Sequence, residues 1–202
     1  MMHGQAEALL PMVDDVMREA GIAVSALDLI AVTTGPGSFT GIRVGLAATR
    51  GIALAGNLPL IGVSSFEAAA AAVAKSAVAG YRLLIALESR RADLYIQLFE
   101  PEGRPLSEPV AVLPEMLAAA VGEVVGSRPV MIAGNAAARA ADTLAGSPGM
   151  TVVEETPAST IGVVRAALRR WREGECGGPV KPLYLRQPDA TPAGARRAPH
   201  GR

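Results

Sequence analysis

Residues 29–55 place an apolar β-rich run, a glycine turn and a small-residue helix in immediate succession, and no other stretch constrains the fold as tightly. The run Leu29-Ile-Ala-Val32 is short enough to be a buried strand, and Gly35-Pro36-Gly37 stops it where a helix can begin. Thr40 reads as the cap of that helix. Beyond it Gly41, Gly45 and Ala48 recur at i, i+4 and i+7, which leaves one helical face almost bare and open to a close neighbour.

The rest of the chain extends this unit into an α/β protein. Gln5 to Ala20 carries Ala6, Leu9, Leu10, Val13, Val16 and Met17 at helical spacing, with Pro11 as a bend and Gly21 as the stop. Pro59 to Val63 predicts a second buried strand, and Ser64 or Ser65 caps an alanine-rich helix reaching Ala77. Helix, strand, helix, strand, helix is the order of a parallel α/β layer. From Tyr81 the pattern changes to strands at residues 83–87, 93–99 and 105–112, an antiparallel meander. Pro114 opens a helix, followed by a strand over 129–133, a helix over 135–144 and a strand over 150–153. Residues 159–173 predict a closing helix with Ile161, Val164, Leu168 and Trp171 along one side. The expected organisation is a first lobe over 1–79, a second over 80–157, the closing helix within 158–176, and an extended segment with a disordered tail over 177–202. The first lobe has only two recognisable strands, few for a parallel layer.

Composition narrows the function classes. Half of the 202 residues are apolar, enough for a proper core, and 19 basic against 19 acidic residues give no overall drive toward nucleic acid. The single cysteine, Cys176, rules out an internal disulfide and fits a reducing cytoplasm. No run approaches the ~18 apolar residues of a membrane span, and the expected location is cytoplasmic.

The chemistry-bearing residues are sparse. Gly35-x-Gly37-x-x-x-Gly41 is a loose dinucleotide fingerprint, but the next strand runs into Ser64-Ser65 where a ribose-binding acid belongs. There is no Gly-Lys-Ser/Thr phosphate loop. Arg43 sits early in its helix against the dipole unless an anion or carboxylate is close; the alternative is a solvated arginine. His3 and His200, at opposite ends, offer no base for a nucleophilic triad, and Ser64 and Ser65 read better as caps. No metal-ligand spacing occurs. Glu154-Glu155 and Arg169-Arg170 read as wet faces. Arg196, Arg197 and Arg202 form a basic tail that either touches RNA phosphates or only solubilises the chain.

The stretch Gly35-Pro-Gly-Ser-Phe-Thr-Gly-Ile-Arg-Val-Gly45, with Gln5-Ala-Glu-Ala-Leu-Leu-Pro11 and Pro182-Leu-Tyr-Leu-Arg186, resembles the TsaB (YeaZ) family across most of the chain. The resemblance implies the two-lobe, ribonuclease-H-like fold of actin-like ATPases. It also implies a non-catalytic dimerisation subunit of the bacterial complex that makes threonylcarbamoyladenosine in tRNA. TsaD would be its direct partner, TsaE would act through the complex, a homodimer is possible, and tRNA would be met indirectly. TsaD proteins carry an Asn-His-x-Glu-Gly-His stretch whose histidines hold a metal; here Ser65 and Ala69 stand in those places, and alanine cannot ligate. No catalytic, cofactor or metal residue is therefore expected. The implied interface is Leu9 and Val13 on the first helix with Gly41, Arg43, Gly45, Ala48 and Arg50 on the second. On this reading Gly45→Leu blocks assembly without unfolding the monomer, unless that face packs inside its own lobe. The alternative function is an independent actin-fold ATPase or phosphotransferase with an anion site at Gly35. Two departures stand out. Family members open with strands bearing an Asp-Thr-Ser-like turn that does not precede Met1, so a misplaced start or a lost N-terminus is expected. In Glu88-Ser-Arg-Arg-Ala-Asp93 the acids are exchanged relative to the family order, with both charges kept.

Overall fold

In the computed structural model, residues 5–74, 80–145, 149–153, 159–175 and 178–186 are described. His3, His200, Cys176, Glu154-Glu155, the basic tail and the end of the alanine-rich helix near Ala77 lie outside them. The order is α1 (Gln5–Ala20), a single 3-10 turn, β1 (Ile30–Gly35), α2 (Phe39–Gly56), β2 (Leu60–Ser64) and α3 (Ser65–Val73). Then come β3 (Arg82–Glu88), β4 (Leu94–Phe99), β5 (Val110–Val112), α4 (Pro114–Val125), β6 (Val130–Ala133), α5 (Ala137–Thr143), β7 (Met150–Val152) and α6 (Thr160–Arg172).

Local chemistry sets most boundaries. Gly21, at φ 66°, closes α1: its N–H donates to the Arg18 carbonyl and that of Ile22 to the Met17 carbonyl, which satisfies two carbonyls at the helix end. At α3, Ser64 Oγ accepts from Glu67 N at 3.0 Å while a Glu67 carboxylate oxygen accepts from Ser64 N at 2.8 Å, a complete capping box. The cap of α2 is Ser38, two residues before the expected Thr40, because its Oγ accepts from Gly41 N at 3.3 Å. Asn135 precedes α5 instead of opening it, since its Oδ1 accepts from Glu88 N at 3.0 Å. The expected strand over 105–112 shrinks to Val110–Val112. Pro105 and Pro109 cannot donate to a ladder, so the chain before it is fixed by a lone bridge to Phe99 and by Ser107, whose Oγ accepts from Leu98 N.

Two sheets result. β1 and β2 form a parallel pair, and β5-β4-β3-β6-β7 form a mixed sheet, antiparallel on the β4–β5 side of β3 and parallel on the β6–β7 side. The continuous apolar run of β3 serves both faces of the larger sheet. Leu84 and Ala86 join the core beneath α4 and α5, whereas Leu83, Ile85 and Leu87 pack with Phe66, Ala69, Ala70 and Val73 of α3. The opposite side of α3 joins Ile61 and Val63 of β2 and Ala166 and Ala167 of α6 through Ala68. Thus α3, buried along most of its length, binds the small sheet to the large one.

α6 corrects the expected orientation. Its buried residues are Gly162, Ala166 and Ala167, while Ile161, Val164 and Trp171 are exposed. The reason is the closeness of the α3 crossing, where a Cβ on Gly162 would sit 2.0 Å from the Ala68 carbonyl oxygen. At that distance only the smallest side chains fit, so the larger apolar ones are displaced to the outer face.

Candidate functional site

α2 is apolar on two sides. Leu46 and Ala53, seven residues apart, are its buried residues. Val44, Ala47, Ala48, Gly51, Ile52 and Ala55, at i, i+3, i+4, i+7, i+8 and i+11, turn outward and with Leu9 and Leu10 of α1 line a groove of about 560 Å3. No charged or hydrogen-bonding side chain is among these lining residues. A helix hydrophobic on both sides is normally buried on both, and a contiguous exposed apolar surface marks an interaction site. Leu10, Met12 and Val16 of α1 are each more than half exposed nearby in sequence.

The expected interface residues divide among three settings. Leu9 and Ala48 line the groove, and Val13 is half-buried one turn beyond Leu9. Gly45 faces its own sheet: a Cβ there would lie 3.8 Å from Val32 Cγ2, so the bare stripe of Gly41, Gly45 and Ala48 is not one outward surface. Gly41 lies at the first turn, where its N–H is taken by Ser38. Arg43 and Arg50 turn toward residues 180–184. The Arg43 Nε donates to Tyr184 Oη at 3.1 Å with its guanidinium carbon 3.7 Å from the Phe39 ring centre, and an Arg50 Nη donates to the Val180 carbonyl. Val44, Ala47, Gly51, Ile52 and Ala55 escaped the sequence reading; their i, i+3, i+4 recurrence was the available signal.

Residues 178–186 run from the small sheet to the large one. Leu183 N donates to the Thr34 carbonyl at 2.8 Å, and Gly62 admits Val180, whose Cγ1 would meet a Cβ at 2.6 Å. Leu183 and Leu185 pack against the core shared by α3 and β3, and Arg186 pairs with Asp93, only 2% exposed, which also accepts from Ser89 Oγ at 2.8 Å. Glu88, the other acid of that stretch, pairs with Arg139 at 3.0 Å. The turn at Gly35 opens onto a cleft of about 280 Å3, lined by Gly37, Ser38, Ser65, Arg90, Tyr95 and Asn135 among others.

At the two positions where TsaD proteins carry histidine, Ser65 Oγ donates to the Pro36 carbonyl at 2.8 Å and Ala69 is fully buried. Both are consumed by packing and hydrogen bonding within the fold. Among the described residues no three His, Cys, Asp or Glu side chains gather as a metal site. Nor is any helix among them long and apolar enough to cross a membrane.

A family model described as TsaD, tRNA N6-adenosine threonylcarbamoyltransferase, matches residues 3–171. The chain belongs to that family. Within it the chain is of the TsaB/YeaZ type. It is 36% identical over 89 residues to the tRNA threonylcarbamoyladenosine biosynthesis protein TsaB of Escherichia coli K12, across 44% of this chain and 38% of that protein. The tRNA N6-adenosine threonylcarbamoyltransferase of Erythrobacter litoralis is 46% identical over 65 residues, 32% of this chain and 19% of that enzyme. These matches span well under half the length of either relative. The structure of YeaZ from Pseudomonas aeruginosa superposes with a TM-score of 0.73 at 27% identity, covering 89% of this chain and 84% of that one. The fold is thus the mixed α/β, actin-like fold of the YeaZ structures.

Proposed function

We propose that the chain is a non-catalytic subunit of the system that makes N6-threonylcarbamoyladenosine in tRNA, and that it binds a TsaD-type transferase subunit through the α1–α2 groove. The groove itself carries this reading: it is apolar, lies on the outward side of a helix already buried on its inner side, and has no internal function. Leu9 and Leu10 of α1 and Val44, Ala48, Gly51, Ile52 and Ala55 of α2 would be covered on docking. Arg43 and Arg50 would border the contact, and Val13 would extend it along α1. Binding in place of chemistry is supported by Ser65 and Ala69 at the family's metal-ligand positions. TsaE and tRNA would be reached through the assembled complex, and a second copy of this chain would compete for the same groove.

Gly51→Arg tests the assignment. A Cβ on Gly51 meets no atom within 4 Å, so the substitution leaves the monomer intact while driving a cation into the groove. Co-purification with the TsaD protein of the same organism on a sizing column is expected for the original chain and lost for the variant. A variant that still co-elutes would remove the groove from the interface, and no complex with either would remove the subunit reading.

A further inference from the structure

Phe39, Arg43 and Tyr184 form a second surface, off the groove, with different chemistry. The Phe39 and Tyr184 rings lie 5.7 Å apart at a 31° tilt and are 51% and 46% exposed. The Arg43 guanidinium lies over Phe39 and gives Nε to Tyr184 Oη, while its Nη groups have no partner among the described residues. The two rings present their flat faces beside a cation, Arg43, and not beside hydrocarbon. The chain is neutral overall, yet beyond Arg186, itself held by Asp93, the sequence carries Arg196, Arg197 and Arg202 against a single acid, Asp189. Flat rings beside a guanidinium with free Nη groups suit a ligand with a π-face and a negative backbone.

We propose that Phe39, Tyr184 and Arg43 form a stacking platform for an unpaired base of single-stranded RNA, with Arg43 Nη taking an adjoining phosphate. The platform adjoins the apolar groove through Arg43, which would border the docking contact, but its rings, Phe39 and Tyr184, are not among the groove's lining residues. Stacking holds the base without reading its identity, and the cation makes binding salt-dependent.

The test is fluorescence anisotropy of a labelled 12-nucleotide oligoadenylate titrated with the full chain at two salt concentrations. Phe39→Ala and Tyr184→Ala, which keep every charge, are expected to weaken binding about tenfold or more. Tyr184→Phe keeps the ring, loses only the hydrogen bond from Arg43, and is expected to bind within about twofold of the original. Duplex RNA is expected to bind more weakly, and AMP is expected not to displace the strand. Circular dichroism checks that each variant is folded. Several results would overturn the proposal: no binding, equal binding by the alanine variants, equal affinity for duplex, or displacement by AMP at comparable concentration. So would a Tyr184→Ala variant that loses co-elution with the transferase while holding RNA normally, which would assign the platform to the protein interface.

Discussion

Two helix pairs of this chain, α3 with α6 and α1 with α2, both bring small residues to a helix face, yet one is closed and the other is open. Between α3 and α6, Gly162 meets the Ala68 carbonyl and Ala166 and Ala167 fill the rest, so the small residues are used up inside the molecule. Along α2 the small residues divide: Gly45 lies against Val32, whereas Ala47, Ala48, Gly51 and Ala55 face out beside Val44 and Ile52. A small-residue stripe therefore says that something approaches closely, without saying whether it belongs to the same chain. What distinguishes the pairs is the large side chains around each stripe. Those of α6 have been pushed off the crossing, while those of α1 and α2 line a groove.

The closed pair should be the more fragile to added bulk. Gly162→Ala forces a methyl into a backbone carbonyl that cannot swing aside, and is expected to cost about 3 kcal/mol or more, read as a large fall in denaturant midpoint. A variant with an unchanged midpoint would show that the crossing is looser than described. Arg186→Ala should rank next. It removes the arginine from the buried Asp93 carboxylate, which keeps the hydrogen bond from Ser89 Oγ, and a loss of about 2 kcal/mol is expected in the same unfolding measurement. Ser64→Ala, which removes the capping box from the helix joining the two sheets, is expected to cost about 1 kcal/mol.

At the open pair the sign reverses. Gly51→Ala adds a methyl where nothing stands and removes a mid-helix glycine, so thermal unfolding should show a gain of about 0.5–1 kcal/mol. A destabilised Gly51→Ala would mean that the groove is already filled from within and would erase the contrast between the pairs.

These differences also explain what the sequence could reveal. Ser64 with Glu67 three residues on, Gly21 after α1 and Pro114 at the start of α4 announce boundaries through contacts spanning a few residues, and the boundaries lie there or within one residue. The inward side of α6 was illegible, because ranking residues by apolarity selects Ile161, Val164 and Trp171, whereas a close crossing selects by size. Asp93 and Arg186 are 93 residues apart in sequence, and no local pattern joins them. The Phe39–Tyr184 pair is hidden for the same reason: residues 178–186 come back to α2 through the tertiary fold, far from it in sequence. Within the groove, two of the eight lining residues, Leu9 and Ala48, were among the interface positions that the family resemblance implied, but without a sheet to orient α2 the faces of Gly45 and Gly51 could not be told apart.

The groove assignment is best examined by amide hydrogen exchange, read by mass spectrometry, with the chain alone and in the presence of its TsaD-type partner. Slowed exchange over residues 9–13 of α1 and 44–55 of α2, with residues 161–172 of α6 unchanged, is the expected pattern. Slowing confined to α6, or anywhere that spares α2, would contradict it.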